Sequence, residues 1–103
     1  MIVKMVELYQ DNNISSYSEN ASPRRNYSLR EVFINPEHII SFREDLITSK
    51  KMESGLLQLE LDSRQEFTKL HLVDGNMTRN ITVIGSPIAV ADKLNTKLQL
   101  LKG

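Results

Sequence analysis

The stretch FTKLHLVDGNMTRNITVI, Phe67 to Ile84, constrains this chain more than any other. Leu70 and Leu72 alternate with Lys69 and His71, and successive side chains of an extended strand point to opposite faces. Asp74-Gly75-Asn76 then breaks the pattern, and Asp-Gly is a hairpin dipeptide because both residues tolerate positive φ. Phe67–Val73 and Met77–Ile84 are therefore predicted as paired strands, with Leu70 and Leu72 inward and His71 on the outer face or at an interface.

The remaining segments extend this into a mainly β domain. Residues 2–9 mix apolar and β-branched residues with Lys4 and Glu7 and read as a half-buried strand. Residues 10–28 form a long polar loop: nine of the nineteen are Ser or Asn, too little apolar surface to fold alone. Arg30–Ile34 and Ile39–Arg43 are predicted as one bent or bulged strand, interrupted at Asn35-Pro36 because proline lacks a ladder donor. In GLLQLELD, Leu57, Leu59 and Leu61 alternate with polar residues and predict another strand.

Past Ile84 the period changes. Gly85 releases the chain, Ser86 stands at an N-cap position and Pro87 takes the first helical position, where its missing amide costs nothing. Val90, Ala91, Leu94, Leu98 and Leu101 recur at helical spacing, so residues 87–102 are expected to form an amphipathic helix packed on the core. Its polar face is not basic enough for a membrane-binding helix. Five short strands with brief connections imply antiparallel pairing, a strongly bent sheet and an open barrel with two unpaired edges.

Charge and composition narrow the function classes. Thirteen basic residues balance thirteen acidic ones, so no overall field draws the chain to nucleic acid or anionic lipid, and any such binding needs local clustering. Without cysteine there is no disulfide, thiolate metal site or cysteine nucleophile. His38 and His71 have no second histidine nearby, which predicts no metal site, and no cofactor is expected. Glu44 and Asp45 point to opposite faces of an extended chain and no serine has evident His and Asp partners, so the chain reads as a non-enzyme. The amino-terminal residues carry no long apolar run and read as those of a cytoplasmic protein.

The strand order, the interrupted second strand and the turn between the last two strands resemble the Sm/LSm-like small β-barrels, in particular Sm-like proteins of cyanophage origin known from marine sequences. Sm proteins carry a hydrophobic-Arg-Gly-x-x-hydrophobic signature, against which Val73-Asp74-Gly75-Asn76-Met77 aligns with the glycine kept and Asp74 in the arginine's place. Phe33-Ile34-Asn35-Pro36 with a terminal helix is also similar to FlbD-like proteins. The resemblance implies an Sm-like five-stranded open barrel that assembles into a homo-oligomeric ring through edge strands 67–73 and 77–84. It implies binding of single-stranded RNA, or less favourably DNA, with a role in RNA or DNA processing in the host cytoplasm if the chain is phage-encoded. The candidate contacts are Lys50 and Lys51 in a loop facing the nucleic acid, the turn Asp74, Gly75 and Asn76, and Arg79 on the following strand. Arg24-Arg25 beside Tyr27 could follow a phosphate backbone next to a stacking ring. A structural or adaptor protein of a phage-like assembly, with protein partners only, is the alternative, favoured by the neutral charge and by Asp74.

Overall fold

A computed structural model describes residues 2–11, 26–55, 57, 59 and 61–102, with the side chains of residues 11, 26 and 96–102 left undescribed. Five antiparallel strands form one sheet, β1 (Val3–Asp11), β2 (Asn26–Ile34), β3 (Ile39–Glu44), β4 (Phe67–Asp74) and β5 (Met77–Ile84), in the spatial order β2-β1-β5-β4-β3. Two α-helices accompany it, α1 (Leu46–Glu53) between β3 and β4 and α2 (Pro87–Lys102) after β5. Among the described residues no helix is long and apolar enough to cross a membrane.

The β4–β5 hairpin follows its sequence pattern. The two strands pair without interruption from Phe67↔Ile84 to Asp74↔Met77. Gly75, at φ 61°, occupies the first central position of a two-residue turn, and Asn76 has no positive φ, which is the backbone pattern of a type II′ hairpin turn. β1 and β2 pair along their full length, from Val3↔Ile34 to Asp11↔Asn26. This ladder takes in Gln10, Asp11 and residues 26–28 from the predicted polar loop, whose residues 12–25, with Arg24 and Arg25, lie outside the described residues.

Four expectations are corrected. Residues 30–43 are not one bent strand: β2 and β3 are separate, do not pair with each other and lie at opposite rims of the sheet. The cause is local, because Asn35 Oδ1 accepts from the Glu37 amide at 3.0 Å and caps a 3-10 turn, Pro36–His38, that ends the ladder. The predicted edge strands 67–73 and 77–84 are interior, since β4 is flanked by β5 and β3, and β5 by β1 and β4. The rims are β2 and β3. Lys50 and Lys51 lie not in a loop but on α1, which Asp45 starts by accepting from the Thr48 amide at 3.0 Å. Finally, the described residues of the leucine-alternating segment, Leu57, Leu59 and Leu61, lie in no strand. Both ladder positions beside β4 are already filled, so these leucines bury themselves by packing, against Leu8, Met52 and Phe67. Leu56, Gln58 and Glu60 are outside the described residues.

The sheet is strongly curled. Only Asn35–His38 links Ile34 on one rim to Ile39 on the other, a span of at most roughly 17 Å even if fully extended. A flat five-stranded sheet would hold its rims about 19 Å apart, and the 3-10 turn shortens the link further. The concave face gathers Val3, Met5, Ile34, Leu70, Leu72, Ile81 and Val83, joined by Val32, Ile39 and Phe42, so that all five strands feed one cluster. α2 closes it with Val90, which is buried, and Leu94, and the Ser86 hydroxyl caps this helix by accepting from the Ala89 amide at 3.1 Å. On the convex face α1 and Leu57 cover Leu8 and Phe67 through Met52.

Candidate nucleic-acid interface

Antiparallel register determines which side chains share the convex face. Lys69 and His71 alternate with the inward Leu70 and Leu72 and therefore point outward. Directly opposite them stand Arg43 and Ser41 on β3, and Thr82 and Asn80 on β5. Ser41, Arg43, Lys69, His71 and Asn80 line an open depression of about 370 Å³. None of the five is acidic. Arg43 and Lys69 form a directly opposed pair of like charges, an arrangement that costs stability in a sheet unless an anion or a neighbouring carboxylate offsets it.

Two contacts order this surface. The His71 Nδ1–H donates to Asn80 Oδ1 at 2.7 Å, which fixes the imidazole and leaves Nε2 as its other ring nitrogen. Asp45, buried at the head of α1, accepts from the Thr82 hydroxyl at 2.8 Å as well as from the Thr48 amide. Burial would raise its carboxyl, but the hydrogen bonds from Thr48 and Thr82 and the nearby Lys69 outweigh that, holding it below the usual carboxylate range. Asp45 thus answers part of the Lys69 charge from beneath, whereas Arg43 has no ion-pair partner among the described residues.

The residues expected to bind nucleic acid do not come together. Lys50 and Lys51 are in the last turn of α1, where the Lys51 ammonium lies 5.8 Å from the centre of the Tyr27 ring. The exposed turn Asp74-Gly75-Asn76 is at the opposite end of β4, about 23 Å along the strand from Phe67, which adjoins the start of α1. Arg79 pairs with Leu72 and so belongs to the other face, where it is exposed. The depression between these places is made of Ser41, Arg43, Lys69 and Asn80, none of which was singled out in the sequence, and of His71, which was expected on the outer face. The alternation of Lys69 and His71 is a readable signal, but their neighbours follow from register, which a single sequence does not state.

A second charged cluster is structural. Glu7, buried on the concave face, accepts from Arg30 Nε at 2.9 Å, and the guanidinium stacks 4.3 Å from the centre of the Tyr9 ring. The Glu7 carboxylate raises the Arg30 pKa. No protein-family model matches this chain, and no match is found among curated proteins or solved structures.

Proposed function

We propose that this chain is an Sm-like homo-oligomeric module that binds single-stranded nucleic acid, RNA ahead of DNA, on the convex face of its curled sheet and performs no covalent chemistry. One observation carries the reading: Arg43, Lys69 and His71 stand side by side with Ser41 and Asn80 in a depression without a lining carboxylate. Two fixed cations, an oriented imidazole and neutral hydrogen-bonding groups suit a phosphodiester backbone, and the net neutrality of the chain is no obstacle when charge is clustered locally. The Sm-like barrel remains part of the proposal, supported by the curl and the single concave core.

Self-association joins the two rims. Among the described residues β2 pairs only with β1, and β3 only with β4, so each carries an unpaired ladder edge that a second copy would satisfy. Joining β2 of one copy to β3 of the next is heterologous and builds a ring where the rotation closes. Repetition then carries the convex depression of every copy around one axis, adding weak contacts through avidity.

The test is fluorescence anisotropy of labelled oligo-U over a range of salt. Affinity is expected to fall linearly on a log–log scale as counterions compete, by about 0.7 in slope per phosphate contact. No binding at low salt overturns the reading. It would turn attention to the adaptor alternative, which the 64% exposed Phe33 on rim strand β2 favours.

A further inference from the structure

The cationic depression stops at a rim, because Ser41 and Arg43 belong to β3 and, among the described residues, no strand pairs with its far edge. Resting on the self-association proposed above, we propose that the next copy completes the site: Lys69 and Ser41 of one copy hold phosphate, His71 Nε2 accepts from a sugar hydroxyl beside it, and Phe33 of its neighbour supplies the surface on which a base stacks.

The register leads to Phe33. Lys69 pairs with Thr82, Thr82 with Leu8 and Leu8 with Leu29, so Leu29 lies on the same convex face as Lys69. By alternation the other convex-face residues of β2 are Tyr27, Glu31 and Phe33. Extending the sheet from one copy to the next keeps the convex faces continuous and sets this row beside Ser41 and Arg43. Charge selects the alignment. Arg43 faces the like charge of Lys69 and has no ion pair among the described residues. The Glu31 side chain is 63% exposed, and its ion pair with Lys4 is long, at 3.8 Å.

Placing Glu31 against Arg43 of the neighbour relieves the like-charge pair. It also puts Leu29 and Phe33 on either side of Arg43, whichever direction the joined strands run. The apolar edge groups, Leu29 and Phe33 on β2 and Ile40 at the β3 bulge, then leave water together. Arg43 fixes the alignment of the joint through part of its five-donor fork and keeps its remaining N–H groups, with Lys69, open to phosphate next to an aromatic ring. Within one chain the depression has no accessible Phe, Tyr or Trp beside it: Ser41, Arg43, Lys69, His71, Asn80 and Thr82 include none, and Phe67, on the same face of β4, is buried beneath Met52 and Leu57.

The test combines a charge exchange with one ring removal, each followed by light scattering and by oligo-U anisotropy. Glu31→Arg and Arg43→Glu alone are expected to lose assembly, and the double variant to regain it. Phe33→Leu keeps an apolar rim and is expected to hold its mass while binding oligo-U about tenfold more weakly. If the double variant assembles no better than the single ones, or if Phe33→Leu binds like the unaltered protein, the shared site is wrong while the nucleic-acid reading stands. If the unaltered protein assembles without binding oligo-U at low salt, both fall.

Discussion

Asp45 joins three parts of the molecule through one carboxylate: it caps α1, accepts from Thr82 on β5 and faces the charge of Lys69 on β4. Replacing it with alanine leaves the Thr48 amide and the Thr82 hydroxyl without their partner and is expected to cost about 1–3 kcal/mol in urea unfolding. The pH dependence has a definite sign. Because the folded carboxyl is held below the usual range, the unfolded chain takes up the proton first as pH falls. The contribution is complete above the unfolded value near ~3.9 and is lost as pH drops through the lower folded value. Asp45→Asn keeps a capping oxygen and is expected to flatten the loss of stability as pH falls below the unfolded carboxylate value, measured by urea melts from neutral pH downward. Lys69→Ala is expected to leave the fold intact, weaken oligonucleotide binding alike for all base sequences and reduce the salt slope by about 0.7. The outward direction of Lys69 was legible from Leu70 and Leu72. That Arg43 stands opposite was not, because the strand holding it was expected to continue from Arg30, whereas it is a separate strand paired with β4.

At the scale of elements, the hairpin and α2 were the most legible features because each satisfies a local rule: a glycine-containing turn at Asp74-Gly75-Asn76 between alternating strands, although its central pair is Gly75-Asn76 and not Asp74-Gly75, and Ser86-Pro87 ahead of a helical apolar stripe. α1 escaped detection because its apolar residues do not mark a buried stripe. Leu46 and Ile47 are more than half exposed, and Met52 is its one buried residue. The leucines at 57, 59 and 61 misled for the opposite reason, since alternation measures burial on one side and not a partner strand. Met52→Ala should therefore destabilise the protein by about 2–5 kcal/mol in denaturant titration, removing the main contact between α1 and the cluster around Phe67. β2 has nine residues and an unpaired rim, while β3 is shorter and bulged between Ile39 and Ser41. A lysine on an exposed edge discourages strand pairing, so Leu29→Lys is expected to preserve the circular dichroism spectrum and abolish self-association.

For the whole molecule, two properties meet: a net charge of zero and a sheet whose rims are brought close by a four-residue link yet do not pair. The first limits what one chain binds through long-range attraction, and the second, under the proposed self-association, would repeat a small cationic face. A mainly β chain with antiparallel strands was legible from the alternating segments, but the count of five was reached with one strand over 30–43 where there are two and one at 57–61 where there is none. Which strands form the rims of the sheet was not legible, because that depends on β5 reaching β1, a non-local pairing recorded in no turn. Whether copies join at these rims, as proposed, is decided by the mass in solution, measured by multi-angle light scattering at several concentrations. Rim-to-rim joining gives a discrete multiple of 11.8 kDa that Leu29→Lys reduces to one chain. A mass of 11.8 kDa for the unaltered protein at every concentration would contradict it.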